Sequence, residues 1–331
     1  MSTVDVVIVV HNHAATLAAT LEGLAAQTLS PARVVVIDNA SDDGSRAFLA
    51  GRQELEVISW DHNRGFAAGV NAGIRLGASP WVLSLNPDCR LSPDFLAALV
   101  TAAERQPRTG SACGLLIRAK GDALEPTSIV DSAGMLASAS GRHHDRGAGR
   151  ALWPALEQPA WVFGATGACA LLRRTALADV AYADGEVFDE GFFAYREDAD
   201  LAWRLQRRGW QCLYWPQARA FHARGQRPEA GRRRLAASNH HSVRNRFLLL
   251  WSNADWRWRL ACFPWWAVRD AVVVGACATV ERRSWKGIVE AWQRRAFQRQ
   301  RGAGNTRRAS VTGWQVASWC LPWRRVRKLE R

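Results

Sequence analysis

Short apolar runs, separated by polar strings and helical stretches, fill the first half of the chain. Val4–Val10 is a β-branched run, polar only at Asp5, that ends in His11, Asn12 and His13. A run without polar alternation predicts a strand buried on both faces. Leu17, Leu21 and Leu24 follow at helical spacing. Val34–Ile37 predicts a second strand, closed by a turn-rich string from Asp38 through Ser41, Asp42 and Asp43 to Gly44. Glu56–Trp60 predicts a third strand and Phe66–Leu76 an Ala/Gly-rich helix. Trp81–Leu85 predicts a fourth strand, stopped by Asn86, Pro87 and Asp88. Pro93 is expected at the start of the next helix, with Ser92 as its N-cap. Strands that alternate with helices imply a largely parallel sheet covered by helices.

The pattern loosens between Gly121 and Pro159, where Gly, Ser, Pro and charge predict a long, partly irregular excursion. Gly164–Arg173 reads as a strand again. An aromatic cluster, Phe192, Phe193 and Tyr195, precedes a helix opened by Glu197 and Asp198, carrying Leu201 and Leu205 inward and closed by Gly209. Gln211–Trp215 and Ala218–Phe221 are strand-like and lead to His222.

In open α/β sheets, ligands bind beyond the carboxyl ends of the strands. That rule singles out His11 and Asn12, Asp38 and Asp88. Asp88 stands on a stiff turn, where a carboxylate can hold a divalent cation or simply serve the turn. Asp38 can accept an imide N–H from a pyrimidine base, or close an Asx-turn on its own backbone. The helix beginning at Arg64, Gly65 and Phe66 offers free N–H groups to phosphate or sugar hydroxyls. Gly69 and Gly73 fit close helix–sheet packing better. Asp198 and Asp200 lie roughly 200° apart around a helix and cannot face one reacting atom. Asp200 can pair with Arg204 instead. Asp198 is then a candidate base, expected to keep its charge at a helix start. His222 could complete a metal site with Asp88.

Composition adds one feature that the pattern does not show. The net charge is +14, yet 25 of the 44 Lys and Arg and only 6 of the 30 Asp and Glu lie from Arg219 onward. Ten of the 17 tryptophans fall at or after Trp251, interleaved with arginines. Trp with Arg suits an anionic membrane surface, and it equally suits a helical bundle with solvated cations. The run Ala271–Val280 is too short to span a bilayer. Nucleic acid is disfavoured as a partner, since no motif for it accompanies the charge. The seven cysteines form no CxxC pair and their number is odd, which points to a reducing compartment. The N-terminus opens directly into a strand, so no secretion signal is expected.

Taken together, Val6–Asn12, Val34–Ser45, Asn63–Gly73, Leu83–Asp88, Gly164–Arg174, Phe188–Leu205 and His222 resemble the inverting family-2 glycosyltransferases, in particular their rhamnosyltransferase-like branch. The resemblance runs from about Val4 to Arg224. It implies an α/β GT-A fold: a Rossmann-like, mixed but mostly parallel sheet flanked by helices, with a helical C-terminal appendage. Residues 1–225 would be catalytic, with the nucleotide-sugar part in about 1–120 and the acceptor side in about 121–225; residues 226–331 would form the basic, Trp-rich region. Val10, His11, Asn12 and Asp38 would bracket the donor base, and Asn63, Arg64, Gly65 and Asn86 would line the donor site. Asp88 and His222 would hold Mg²⁺ or Mn²⁺, and Asp198 would be the catalytic base with Glu197 beside it. Many relatives carry more acids where this chain has Asn86-Pro87-Asp88, so fewer protein ligands reach the metal. The implied donor is dTDP-rhamnose, with a UDP-sugar (galactosyl or galactofuranosyl) as the alternative. A non-catalytic nucleotide-sugar-binding member of a synthesis complex is the reading from another class. The implied acceptor is polyprenyl-linked or polysaccharide, reached from the cytoplasmic face of the membrane by peripheral attachment.

Overall fold

The computed structural model describes residues 2–224 and 232–329. The expected boundary at 225/226 lies outside the described residues, as does the side chain of Trp323. The first elements follow the hydrophobic pattern closely: β1 Val4–Val10, α1 Ala14–Ala25, β2 Arg33–Asn39, α2 Ser45–Ala50, β3 Glu56–Trp60, α3 Phe66–Leu76 and β4 Trp81–Leu85. Next come β5 Cys89–Leu91, α4 Phe95–Glu104, β6 Thr109–Lys120, β7 Glu125–Ser132, β8 Met135–Ala137, β9 His143–Asp145, β10 Ala160–Val162, β11 Cys169–Arg173 and α5 Arg174–Val180. They are followed by α6 Glu197–Arg207, β12 Gln211–His222, α7 Arg232–Asn253, α8 Trp256–Ala261, α9 Trp265–Thr279, α10 Trp285–Arg307, α11 Gly313–Ala317 and β13 Arg327–Lys328.

One mixed sheet runs in the order β13-β10-β12-β6-β11-β4-β1-β2-β3, with β5 on β12 and β7 on β6. The half formed by β4, β1, β2 and β3 is parallel. Every residue of β1 is buried, including Asp5, which accepts from Ser79 and Arg174. α3 can lie on this half because two glycines leave room. A Cβ on Gly69 would stand 2.7 Å from Val9 Cγ1, and one on Gly73 2.3 Å from Val7 Cγ1.

Several expected boundaries shift. The helix after β5 begins at Phe95, and Ser92 does not cap it through its side chain. Gln27, at the end of α1, does that work instead. Its amide donates to Ser92 O at 2.7 Å and accepts from Leu96 N at 3.0 Å. The expected strand over Gly164–Arg173 starts at Cys169, and the residues before it form a loop. The two strand-like segments before His222 are one strand, β12, with a register shift between Tyr214 and Arg219 where they join. The excursion after Gly121 adds β7 to the sheet and folds β8 and β9 into a separate hairpin.

The C-terminal helices are packed onto the sheet domain rather than hung from it. Arg207 of α6 meets Asp255 at 2.7 Å in a pair with both side chains buried. Arg301 of α10 reaches Glu186 at 3.0 Å and Asp189 at 3.1 Å. β13 adds a last strand to β10.

The glycine seats give a first test. Gly73→Ala overpacks the α3–β1 contact and is expected to lower stability by about 1–3 kcal/mol. Gly304→Ala in α10 meets nothing within 4 Å and should be neutral or stabilising by about 0.5–1 kcal/mol. Urea unfolding midpoints of the two variants check this.

Candidate active site

Asp88 and His222 meet because β5 pairs antiparallel with β12, which places His222 opposite Cys89. Ala223 N also donates to Asp88 O at 3.0 Å. His222 Nε2 lies 3.2 Å from Asp88 Oδ1, and its Nδ1 lies 2.8 Å from Asp131 Oδ2 on β7. Burial disfavours a charged imidazole here, but the two carboxylates outweigh it and push the His222 pKa well above its ordinary value. The acidic line continues outward. Arg224 joins Asp131, at 3.5 Å, to Asp145 of β9. Ser132 Oγ donates to Asp145 at 3.0 Å.

This donor set can be tested for a metal. Among the described residues, no group of three or more His, Cys, Asp or Glu side chains is arranged to hold an ion. Asp88 and His222 therefore offer two ligands at most. Their chemistry fits a cation nonetheless. With the Nε2 proton removed, His222 presents a lone pair beside Asp88 while Asp131 fixes its other nitrogen, the usual support for a ligating histidine. Diphosphate oxygens and water would have to fill the remaining positions.

Asp198 is the second residue of α6. The chain before α6 is strained: Phe193, Tyr195 and Arg196 all have left-handed φ of 65°, 70° and 74°. Such conformations persist where surrounding structure over-determines them. Here the C-terminal helix α7 does so. Asn245 Nδ2 donates to the carbonyls of Phe192, Ala194 and Tyr195 at 2.9, 2.8 and 2.7 Å. Arg244 Nη2 donates to Phe192 O at 2.8 Å. On the sheet side, Asp198 Oδ2 accepts from Gly167 N at 3.0 Å. The neighbouring Ala168 O accepts from Asn86 N at 2.8 Å. A path from Asn86 through Ala168 and Gly167 to Asp198 thus couples the Asp88 turn to α6.

Asp198 was expected to keep its charge easily at a helix start. The structure corrects this: burial raises its pKa, and the N–H groups of Gly167 and Ala199 offset that only in part. Burial raises Glu197 as well, with the Asp198 charge adding to it. Glu197 Oε2 is buried and has no hydrogen-bond partner. Asp200 faces away, as its position predicts. It accepts from Arg204 Nε at 2.8 Å and from Asn253 at 2.7 Å, both structural bonds.

On the other side of Asp88, the ends of β1 and β2 are tied together. Val10 is buried opposite Asp38, and His11 is exposed just beyond. Asn12 has a left-handed φ of 61°. Its N–H donates to Ser41 Oγ at 3.2 Å, and its side chain accepts from Asp42 N at 2.9 Å. Asp38 is fully buried and accepts from Ser41 N, three residues on and one beyond an Asx-turn, at 3.0 Å. Arg46 donates to its other oxygen at 2.6 Å. Burial opposes the Asp38 charge, but the bonds from Ser41 and Arg46 win and lower its pKa. Asn63 accepts from Asn39 Nδ2 at 2.9 Å and from Gly65 N at 2.8 Å. Arg64 lies over Trp60, 4.7 Å from the ring centroid. Gly65, with φ of 87°, touches the strained segment: a Cβ there would stand 2.5 Å from Phe193 O. The start of α3 and the start of α6 are therefore neighbours.

Of the expected residues, the structure brings Asp88 against His222 and links the Asn86 turn to Asp198 through Ala168 and Gly167; Asn12 and Asp38 bond within the ends of β1 and β2. Reading the sequence missed Asp131, Asp145, Arg224 and Asn245. The first two sit in short strands whose register depends on partners far along the chain, so no local pattern exposes them.

The Glycosyl transferase family 2 profile matches residues 5–181. The chain belongs to this family. It is also 30% identical over 276 residues to the N-acetylglucosaminyl-diphospho-decaprenol L-rhamnosyltransferase of Mycobacterium tuberculosis, covering 72% of this chain and 83% of that protein. A second relative, the succinoglycan biosynthesis protein ExoO of Rhizobium meliloti, is 31% identical over 30% of each chain. Among solved structures, GalNAc-T7 with UDP, GalNAc and Mn²⁺ aligns at a TM-score of 0.59 and 16% identity, over 87% of this chain and 55% of that one. Staphylococcus aureus TarS 1-349 aligns at 0.54 and 14%, over 92% and 89%. These likenesses establish a GT-A glycosyltransferase fold with C-terminal helices. The family-2 span holds Asp38 and Asp88 but ends before Glu197, Asp198 and His222; of these, the structure places His222 against Asp88.

Glu197 yields a test in this glycosyltransferase. Its folded pKa is raised, so the native state holds the proton more tightly than the unfolded chain. Stability should fall as pH rises from the ordinary carboxylate value through the raised one. Glu197→Gln mimics the protonated form and should remove this loss. It should match the parent near pH 5 and exceed it by about 1.4 kcal/mol or more at pH 9, one unit's worth, in denaturant titrations at both pH values.

Proposed function

We propose that this protein transfers a hexosyl group, L-rhamnose from dTDP-rhamnose, with inversion onto a hydroxyl of a sugar-diphospho-polyprenol in cell-surface glycan synthesis. The observation that carries this reading is the single connected site. The pair Asp88–His222 is linked to Asp198 through Asn86, Ala168 and Gly167, and this supports placing the two groups on opposite sides of the reacting carbon. Inversion needs such an arrangement, because base and leaving group must flank one anomeric carbon. The similarity to the mycobacterial rhamnosyltransferase favours the sugar and the lipid-linked acceptor.

In this reading the pyrimidine lies against Val10, His11, Asn12 and Asp38, with Asn63, Arg64, Gly65 and Asn86 along the donor. Asp88 and His222 hold a divalent cation, Mg²⁺ or Mn²⁺, and Asp131 keeps the imidazole oriented. That ion, when bound, neutralises the charge growing on the departing diphosphate. The acceptor oxygen attacks the anomeric carbon as the bond to the diphosphate oxygen breaks. Its proton passes to Asp198, and the nucleotide leaves as the diphosphate. Burial raises the proton affinity of Asp198, which suits a base working near neutral pH. Glu197, without a partner for Oε2, remains protonated beside it and adds no competing charge. The C-terminal helices meet an anionic membrane surface, where exposed Trp256, Phe263, Trp265 and Trp292 and the excess of arginine suit the headgroup layer. No helix among the described residues is long and apolar enough to cross a membrane.

The test is enzymatic. Asp198→Asn should bind donor but lose about 10²–10⁴-fold in turnover, and Asp88→Ala should no longer respond to Mg²⁺ or Mn²⁺. Thermal shifts should rank dTDP-rhamnose above UDP-galactose in the presence of either ion. A near-normal rate for Asp198→Asn reassigns the base, and a reversed ranking moves the donor to the UDP-sugar class.

A further inference from the structure

A second charge cluster flanks Asp198, of sign opposite to the first. Arg196, two residues before it, donates through Nε and Nη2 to Ser242 O and Oγ of α7 at 3.2 and 3.4 Å. One turn on, Arg246 donates to Ser140 O at 2.9 Å and to Asp270 of α9 at 2.7 Å. Arg246 is only 2% exposed, yet its Nη1 has no hydrogen-bond partner. A Cβ on Gly141 would lie 3.7 Å from that same nitrogen, so the turn carrying Arg142 folds over it. Arg269, beside Asp270 on α9, also leaves a buried Nε without a partner.

The charges do not balance. The carboxylates facing these arginines are Asp270, already bound to Arg246, and Asp198 itself. Burial lowers the pKa of Arg196 to about 10, and the neighbouring Arg246 and Arg142 charges add to that. His144 is lowered by burial and by Arg142 and Arg325. A buried guanidinium nitrogen without an acceptor costs free energy that only an anion or a strong acceptor can return.

The cluster is separate from the Asp88 side. β9 has Asp145, which belongs to the Asp131–His222 line, at one end, and Arg142 just before the other. The two lie about 10 Å apart along the strand. The same α9 that carries Arg269 inward exposes Trp265, Val268 and Val272, at 64%, 57% and 54%. A cluster of arginines short of acceptors thus adjoins an uncovered apolar helix face.

We infer that Arg142, Arg196, Arg246 and Arg269 form a subsite for the diphosphate of the acceptor, with the prenyl chain leaving along α9. This rests on the lipid-linked acceptor proposed above and deepens it. The acceptor sugar lies between the two: its hydroxyl meets Asp198 and its anomeric diphosphate meets the arginines. The cluster so decides which acceptors are taken, by requiring a diphosphate where a plain glycoside offers none. Arginine is suited to this, since its planar fork matches phosphate oxygens.

The test compares two acceptors on the full chain: N-acetylglucosaminyl-diphospho-farnesol and the phosphate-free farnesyl N-acetylglucosaminide. The parent should prefer the first in kcat/KM by about 100-fold, the equivalent of two charged hydrogen bonds. The double variant Arg142→Gln/Arg269→Gln should lose at least about tenfold of that preference. Arg283→Gln, elsewhere on the basic surface, should keep it. Equal use of both acceptors by the parent, or full preference in the double variant, overturns the subsite. Binding of inorganic pyrophosphate in EDTA gives a readout independent of turnover. It should weaken about tenfold in the double variant; no binding by the parent overturns the subsite. If the parent transfers to neither acceptor, the proposed function fails, and the pyrophosphate result still decides the subsite. Vesicles of phosphatidylglycerol separate the other source of phosphate. If the double variant loses vesicle binding but keeps both acceptor preference and pyrophosphate affinity, the arginines serve lipid headgroups and the subsite is wrong.

Discussion

A buried imidazole held between two carboxylates organises the site. His222 reaches Asp88 with one nitrogen and Asp131 with the other, and all three side chains are removed from water. Burying such charges is costly unless each is paired and further bonded. The pairing is complete only when β5, β7 and β12 are in register, so one interaction ties three strands to one another. Arg118 and Arg224 supply compensating charge to Asp131. Through Arg224 the same line reaches Asp145, whose charge also acts on Asp198.

The base side is fixed differently, by strain and clamping. Left-handed backbone at three of the four residues before α6 is unusual for Phe, Tyr and Arg. Two neighbours on α7 sustain it: the Asn245 amide donates to three carbonyls in that segment, and Arg244 donates to Phe192 O. Asn245 belongs to α7, in the region that composition alone marks as an appendage. Gln298 of α10 adds a bond to Asp189 at 2.6 Å, just ahead of the strained stretch. The C-terminal helices therefore complete the site, and their outward apolar and cationic surface is a separate property of the same elements.

Much of the framework was legible before any coordinates. A β-branched run without polar alternation can hardly be anything but a central strand, and glycines four apart on α3 mark where it meets the sheet. Asp88 and Asp38 were visible because both end apolar runs on the ligand-binding edge. The charge state of Asp198 was not. A helix start argues for ionisation, but burial among Ala199, Leu201 and Ala202 argues more strongly against it, and burial is a tertiary quantity. Asp131 and Asp145 were invisible for a related reason: their importance comes from β7 and β9 reaching His222 and Arg224, contacts about 80 to 90 residues away in sequence. The N-cap assigned to Ser92 failed because a distant amide, Gln27, satisfied the helix end better than the local hydroxyl could.

The central claim is that one carbon lies between a cation held at Asp88 and the carboxylate of Asp198. Anomalous diffraction from crystals grown with Mn²⁺ and dTDP measures this most directly. The account predicts one strong manganese peak within coordination distance of Asp88 and His222, with the diphosphate on the side facing Asp198 and room for a single hexose between them. A manganese peak away from Asp88, or a diphosphate screened from Asp198 by intervening protein, would contradict it.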